Sequence, residues 1–543
     1  MGDEQARGKR PRIAPSPAAV GPVSAHPPPA AGKSPVKGGI EPFVLPAPLR
    51  PVKTPSDSPA ALVGSPVFEA LKTIAEQDGR EIQVIGGFVR DFFLGLPCTD
   101  VDVVTLGSGT DLARAFAERM GAKDVVCYES FKTALVRVGN FKVEFVGARK
   151  ESYRADSRKP IVEDGTLDDD RLRRDFAFNA ISISLSSHDF GTTHDPFGGW
   201  EDMNRGVVCA PTARLSPPDA ERTFSEDPLR ILRAVRFAAR FGYGFESRTL
   251  EAMRRHAERL SIVSKERVAE ELNKMLLADL AVGGGPEHAA RPPASLFLLD
   301  NIGLLAGLIP ELHAMKGVEI RDGIAHKDNF IHTLKVLENL CKLSEDLWLR
   351  WGALLHDVGK PKTKRFETGI GWTFHNHDDR GARMVAPMFR RLALPQNEKM
   401  RFVEKMVRLH QRPIALVDEI VSDSALRRLA VEAGEDLDPL LTLCRADVTT
   451  ANEGRKNRRI ERYRELEQRI RDIEARDNLR NWQPPITGEI VMHTFGLKPG
   501  PQIGKIKNAV REAILDGEIP GDYESAFNYM LKIAKNLDIS PKI

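Results

Sequence analysis

Ile82-Gln83-Val84-Ile85-Gly86-Gly87-Phe88-Val89-Arg90-Asp91, followed closely by Asp100-Val101-Asp102-Val103-Val104, decides how this chain folds. The apolar run Ile82–Ile85 reads as a buried strand. Two glycines then let the backbone approach a phosphate where a side chain would block it. Arg90 is placed to neutralise phosphate oxygens, and Asp91 to order a helix beginning at Phe92. Asp100 and Asp102 stand two apart, which on a strand points both carboxylates to one face. Such a pair suits Mg²⁺, an oxygen-binding ion that also takes substrate phosphates. Two such ions, about 3.5–4 Å apart, activate an attacking hydroxyl and stabilise a leaving pyrophosphate. Either motif alone is most often a turn or a solvated strand end. Their order and closeness make them one site.

The chain has 543 residues, too many for one core, so several domains are expected. Its hydrophobic (41%) and charged (29%) fractions are those of an ordinary soluble protein. The formal net charge is only +3, so any nucleic-acid surface must be a local patch. Cys98, Cys127, Cys209, Cys341 and Cys444 lie far apart and suggest neither a zinc site nor a disulfide framework, as expected of a cytoplasmic protein. No apolar run is long enough to span a membrane, and an N-terminus carrying Asp3 and Glu4 is not expected to be a secretory signal.

Residues 1–62 are rich in Pro, Ala, Gly and Ser and read as a disordered tail, with Lys9, Arg10 and Arg12 as a basic cluster that is either solubilising or an RNA contact, the first being the expected reading. From 63 to 205, helix-like and strand-like segments alternate. From 206 onward the pattern is almost all helical. The expected fold class is α+β: a head of mixed β-sheet with helices (63–205), an all-α neck (206–320), a further helical block (321–450) and a C-terminal helical module (451–543). Gly283-Gly284-Gly285-Pro286 and Arg291-Pro292-Pro293 read as a loop or insertion. Residues 453–476 carry both charge signs at helical spacing, which indicates a solvated helix. Its front end is basic only (Arg455, Lys456, Arg458, Arg459), either a solvent face or a phosphate contact.

Two further segments bear on the site. In Arg173-Arg174-Asp175-Phe176-Ala177-Phe178-Asn179-Ala180 the arginines suit a triphosphate, and Asp175 or Asn179 suits ribose hydroxyls. Glu226-Asp227-Pro228-Leu229-Arg230 opens a long helix, with Pro228 in the first turn and Asp227 as cap. Arg230, Arg233 and Arg236 recur every three residues and form either a basic solvent face or part of a site; periodicity does not decide. Chemistry says more. An ionised Asp only accepts hydrogen bonds and an Arg only donates. Cytosine and adenine both offer an amino donor beside a ring-nitrogen acceptor, and guanine and uracil the reverse. An Asp227–Arg230 reader therefore accepts C and A, and a hydrogen-bonding site can reject a mismatched analogue by about 10⁴-fold.

With these motifs, the chain resembles the class II tRNA nucleotidyltransferases, the CCA-adding enzymes, of the family shared with bacterial poly(A) polymerases. The resemblance covers about residues 65–540. It implies a nucleotidyltransferase palm, with Asp100 and Asp102 as catalytic carboxylates on Mg²⁺ and Gly87 and Arg90 on the triphosphate. Arg174 is then at the nucleotide, Asp227 and Arg230 read the base, and Arg233 and Arg236 complete the NTP contacts. It implies CTP and ATP as substrates and tRNA as partner, with addition of CMP, CMP and AMP and release of pyrophosphate. A poly(A) polymerase, or an enzyme adding only C or only A, shares the same motifs. Lys265–Leu272 resembles the helix that braces the neck. Ala177 and Phe178 stand where the family often has Thr and Ile, and are expected to pack. Glu144, in Val143-Glu144-Phe145, is read as a strand-edge glutamate, with a third acid near the metals as the alternative.

The later block holds His332, His356-Asp357, His377, His410 and Asp447 in the order of an HD phosphohydrolase domain, which it resembles. Imidazoles and carboxylates clustered on helices suit a divalent transition metal, with His375 and His326 as competing ligands. The implied chemistry is attack of activated water on a 2′,3′-cyclic phosphate or a phosphomonoester; an enzyme acting mainly there, or a purely structural HD domain, are the rival readings. Asn481–Gly488 and Gly496–Gly500 resemble the end of HD-bearing CCA enzymes, which holds the tRNA elbow. The sequence leaves the oligomeric state open.

Overall fold

In the computed structural model, which describes residues 12–13, 43–128, 132–154, 157–418, 422–450, 452–477 and 484–542, the apolar run Ile82–Ile85 is a fully buried strand. The chain forms two units, one containing Phe43–His313 and the other Ala314–Ile543.

The first unit is built on a mixed sheet. Helix α1 (Pro66–Asp78) leads into β1 (Ile82–Ile85), α2 (Gly87–Leu94), β2 (Asp100–Thr105), α3 (Gly109–Met120), β3 (Val125–Tyr128), β4 (Thr133–Val138) and β5 (Phe141–Gly147). A hairpin, β6 (Arg149–Arg154) and β7 (Ser157–Asp164), precedes β8 (Ser182–Ser184) and β9 (Thr193–His194). The strand order is β9-β8-β1-β2-β5-β4-β3. Within this sheet, among the described residues, only β2 and β5 run parallel, in a register that sets Asp100 beside Lys142 and Asp102 beside Glu144. Val84, Val103 and Phe145 are completely buried, which fixes this register because a one-residue slip would turn them to the other face.

The sequence places the first helix start at Phe92; the structure starts α2 at Gly87, with Gly86 as its cap. Asp91 is therefore inside the helix, buried, and paired with Arg90 and Arg240. Residues 43–62, expected to belong to a disordered tail, include an ordered strap. Leu49 N–H donates to the Phe241 carbonyl, Val52 N–H to that of Phe93, and the Trp200 indole to that of Lys53. These bonds give the strap the partners its composition alone does not reveal. Lys9 and Arg10 lie outside the described residues.

The helical part of this unit contains α4 (Ala220–Glu226), α5 (Leu229–Phe241), α6 (Lys265–Leu276) and α7 (Arg291–Asn301), with α5 packed against both α6 and α7. Leu229, Leu232, Val235 and Ala239 form the expected buried stripe. Arg291-Pro292-Pro293 is not a loop. The prolines occupy the first turn of α7, where no intrahelical N–H is needed, and all three residues are buried. Ala177 and Phe178 pack as expected, Phe178 against the rings of Phe237, Phe241 and Tyr243.

The second unit contains α8 (Asn329–Cys341), α9 (Leu347–Leu355), α10 (His377–Arg391), α11 (Glu398–Leu409), α12 (Asp423–Ala433), α13 (Leu437–Ala446) and α14 (Glu453–Asp477). The charged α14 buries one stripe, Tyr463, Leu466, Ile470 and Ile473, and is otherwise solvated. The final helices α15 (Gly488–Phe495), α16 (Pro501–Leu515) and α17 (Tyr523–Asn536) share their own core around Val491, Ile506 and Met530. Arg428 of α12 ties them to the rest through Glu512 and Asp516, at 2.9 and 2.6 Å. Asn481–Gln483 lie outside the described residues. No helix among the described residues is long and apolar enough to cross a membrane, and no disulfide joins the five cysteines.

Candidate active site and candidate metal centre

Beside β2 and β5 lies a cleft of about 340 Å³ whose walls include Asp102, Glu144, Arg174, Asp227, Arg230 and Arg233. Gly86 shows how tightly its floor is drawn together. Its φ of 85° favours glycine, and a Cβ there would meet Arg174 Nη1 at 2.5 Å and Asp102 Oδ2 at 2.8 Å. Asp102 sits half-buried 3.7 Å from Arg174, and Asp100 stands at the exposed start of β2, 3.9 Å from Lys142. Burial pushes the Asp102 carboxyl above the usual range, against the pull of Arg174. Burial and the Asp102 charge do the same to Glu144. Glu144 is thus no strand-edge residue. It is mid-strand on a central strand, on the same face as Asp102, because parallel register pairs the two. Mutually repelling acids around a cradle that only glycine fits form a donor set suited to divalent cations.

The basic residues divide into those that face the cleft and those that brace it. Arg174 and Arg233 face it. Arg90, expected on a phosphate, is buried behind the loop. Its Nε and Nη2 donate to Asp91 at 2.8 Å each, its Nη1 to Asn179 Oδ1 at 2.7 Å, and it lies against the rings of Phe237 and Phe241. A Cβ on Gly87 would sit 3.7 Å from Arg90 Nη2, so Gly87 packs on this brace. Arg236 is likewise buried, donating to Glu271 at 2.6 Å. Asn179 is taken up by Arg90 and Asp175, which removes it as a ribose ligand. Asp175 receives two bonds from Arg233, at 2.8 and 2.6 Å. Burial would raise its pKa, but Arg233 and Asn179 hold it down at about 2.

At the far wall, Asp227 Oδ1 accepts from Leu229 N–H at 3.1 Å and Oδ2 from Arg267 at 3.0 Å. Arg230 is buried and donates to the carbonyls of Thr223 and Arg173, at 3.1 and 2.6 Å. The solvent-face reading fails for Arg230 and Arg236. Arg267 lines the cleft, a position that the resemblance of its helix to a neck brace does not reveal. A signal was present: Arg267 and Glu271 stand at i and i+4, one face of α6, and meet Asp227, just before α5, and Arg236 on α5.

The second unit gathers His332, His356, Asp357, His377, His410 and Asp447 into one cluster. The Nδ1–H groups of His356, His377 and His410 donate to the carbonyls of Ala353, Phe374 and Val407, at 2.7, 2.8 and 2.7 Å. This fixes the tautomer and turns each Nε2 lone pair inward, the arrangement that prepares an imidazole for a metal. Asp357 lies 2.6 Å from Lys360 and 3.3 Å from the nearest imidazole nitrogens. Despite burial, His356 and Lys360 hold it well below the usual carboxylate range. Burial pulls His410 down to about 4, keeping it neutral as a ligand must be. His356 Nε2 and Asp357 Oδ1 are buried without a hydrogen-bond partner, so the donors fit a cation. His375 is exposed beside Glu367, and His326 bonds the backbone of Glu319 and Lys327, so neither joins the cluster. A pocket of about 290 Å³ opens onto His332 and Asp447, walled by Lys327, Lys360 and Arg459. Arg459 belongs to the basic front end of α14.

Family models match parts of both units. Residues 82–209 match the poly A polymerase head domain, 242–284 the probable RNA- and SrmB-binding site of polymerase A, and 329–452 the HD domain. The A-adding tRNA nucleotidyltransferase of Deinococcus radiodurans is 31% identical, over 80% of this chain and 92% of its own length. The CC-adding tRNA nucleotidyltransferase of Thermus thermophilus is 32% identical, over 82% and 92%. The multifunctional CCA protein of Chromobacterium violaceum is 32% identical, over 68% and 84%. Among solved structures, the Thermotoga maritima CCA-adding enzyme complexed with tRNA matches with a TM-score of 0.52 at 20% identity, over 89% of this chain and 98% of that one. At that identity the likeness is one of fold.

Proposed function

The chain belongs to the tRNA nucleotidyltransferase family that carries the poly(A) polymerase head, and from that premise we propose that it adds CMP, CMP and AMP to the 3′ end of tRNA from CTP and ATP without a template. One observation carries the reading: a single cleft collects an acid from β2, an arginine from the segment before β8, and the Asp227/Arg230 pair at the start of α5. In this reading Asp100 and Asp102, with Glu144 beside them, hold divalent cations, of which Mg²⁺ suits the all-oxygen set. Bound there, such ions lower the pKa of the terminal 3′-hydroxyl and neutralise the leaving pyrophosphate. Arg174 and Arg233 neutralise the triphosphate, and the Gly87 N–H at the start of α2 offers a donor to it. Asp227, oriented by Arg267, accepts from the amino group of C or A. Arg230, which keeps N–H donors beyond those its carbonyl contacts use, donates to the ring nitrogen. Arg90 and Arg236 act from behind, by holding the loop and α5 in place.

The two partial-adding relatives favour a second reading, in which only C or only A is added. Extension of a tRNA lacking its CCA, resolved to single nucleotides with CTP, ATP and both, separates the cases. Full addition gives two C with CTP and a final A with both. A long A ladder indicates a poly(A) polymerase, and no extension overturns the reading.

For the second unit we propose a divalent transition metal on the HD cluster, acting on a phosphate ester that the cationic pocket wall would hold. We assign the four blocks read in the sequence as head, neck, HD domain and C-terminal tRNA-binding module. A tRNA substrate and cysteines not joined by disulfides make the cytoplasm the proposed setting.

A further inference from the structure

We propose that residues 46–53 act as a positioning strap for nucleotide selection: they clip together the far ends of the two helices whose near ends hold the triphosphate and read the base. This rests on the transfer reading just given. Helix α2 begins at Gly87 and ends at Leu94, and α5 begins at Leu229, between Asp227 and Arg230, and ends at Phe241. The last carbonyls of a helix lack intrahelical partners, and the strap supplies them. Val52 and Lys53 N–H donate to the Phe93 carbonyl at 2.9 and 3.3 Å, and Leu49 N–H to the Phe241 carbonyl at 2.7 Å. A third helix, Gly199–Arg205, is tied in as well. Arg50 Nη1 donates to its Met203 carbonyl at 3.5 Å, and its Trp200 indole donates to the Lys53 carbonyl at 3.1 Å.

The fit is close at all three helix ends, each of which is followed by a glycine: Gly95, Gly206 and Gly242. A Cβ on Gly242 would meet the backbone oxygens of Ala47 and Pro46 at 2.6 and 2.7 Å. One on Gly206 would meet Arg50 Nη1 at 2.5 Å, and one on Gly95 a Val52 methyl at 2.7 Å. Pro46, Pro48 and Pro51 fix φ and stiffen the strap. From Leu49 to Val52 the chain can span only about 10 Å, so the ends of α2 and α5 are held to a set separation. Arg90 and Asp91 of α2 already meet Phe241 and Arg240 of α5, and the strap closes this join from the surface side. Leverage carries the effect to the cleft. At a rise of about 1.5 Å per residue α5 is about 20 Å long, so a tilt of about 3° at its strapped end moves its first turn by about 1 Å. A misplacement of that size can cost about 10²-fold in rate. The strap precedes residue 82, where the match to the head-domain family begins, so that match does not include it.

The test is selectivity in the full chain: the ratio of kcat/KM for CTP to that for UTP in single-nucleotide addition to a tRNA lacking its CCA. A ratio taken on one sample cancels any loss of folded enzyme, which is what a purely structural role would produce. Leu49→Pro removes the N–H that holds Phe241. It should lower the ratio by about 10-fold or more, with kcat for CTP falling and its KM nearly constant. Arg50→Ala should lower the ratio less, and Arg50→Lys should restore part of the loss. Trp200→Phe, which removes the bond to the Lys53 carbonyl, is read in the same way should Leu49→Pro not fold. A ratio unchanged in these variants, whatever their melting temperature, overturns the positioning role and leaves the transfer reading intact. A parent chain that transfers neither CMP nor AMP overturns both.

Discussion

The head cleft and the HD cluster solve the problem of holding cations in opposite ways. In the head, the carboxylates meet solvent: the Asp100 side chain is 73% exposed and that of Asp102 41%. Their orientation rests on the strand, the Gly86 cradle and the longer contacts of Asp102 with Arg174 and Asp100 with Lys142, at 3.7 and 3.9 Å. In the HD cluster, His356 and Asp357 are each 1% exposed, and backbone carbonyls fix three of the four imidazoles. An open oxygen site opposite arginines suits an ion that arrives and leaves with a nucleotide. A closed imidazole site suits a resident ion. On the proposed reading, burial would separate a site suited to turnover from one suited to retention.

The sharpest way to break this contrast is at Asp102. Asp102→Ala should lower nucleotide addition by at least about 10²–10³-fold, the loss typical of removing one preorganised electrostatic group. Melting temperature and Mn²⁺ uptake by the HD cluster should stay unchanged. Persistent addition would detach the β2 carboxylates from the chemistry. Asp227→Ala acts on selection instead. Discrimination against UTP and GTP should fall by orders of magnitude, toward loss of the roughly 10⁴-fold that a hydrogen-bonding site can supply. The KM for the triphosphate should change far less, because Arg174 and Arg233 remain. Equal loss for all four nucleotides would make Asp227 a structural cap, a role its bond to Leu229 N–H already offers.

Short-range spacing made Asp100/Asp102 and His356-Asp357 legible as candidates, whereas His332, His377, His410 and Asp447, spread along the chain, came from the family resemblance. Asp-x-Asp on a strand and His-Asp at a helix end carry their chemistry within a few residues. What the sequence hid depends on which distant element lies opposite. Glu144 reaches Asp102 only through the parallel register of β2 and β5, and Arg267 reaches Asp227 only through the packing of α6 on α5. Arg90 looks the same in sequence whether it faces the loop or the core. The rings of Phe237 and Phe241, far along the chain, turn it inward. Arg291-Pro292-Pro293 misleads because proline breaks a helix in its middle and suits its first turn, and composition cannot tell the two apart.

Gly86→Ala probes the cradle with a smaller effect. At φ 85° and ψ −132° a side chain is strained, at a cost of about 1–3 kcal/mol. The added methyl would also press on Arg174 and Asp102. Addition should fall with a modest drop in melting temperature, while the HD cluster keeps its Mn²⁺ uptake. A fully active Gly86→Ala protein would show that the cradle does not set the cation site.

Asp175 gives the finest test of how the head holds its arginines. Its pKa is depressed from 3.8 to about 2 although burial opposes ionisation, because Arg233 and Asn179 favour the charged form. A depressed carboxyl contributes stability that is fully present above pH 4 and is lost as pH falls through about 2. The depression of nearly two units corresponds to about 2 kcal/mol. Asp175→Asn should therefore be destabilised by about this amount at neutral pH. The gap between the variant and the parent should narrow as pH falls from 5 toward 2, because only the parent has an ion pair to lose. A gap that stays constant across this range would mean that Asp175 holds Arg233 by hydrogen-bond geometry rather than by charge. The arginines of the head would then be set in place by directed bonds, as the imidazoles of the HD cluster are, and the two regions would be less different than their exposure implies.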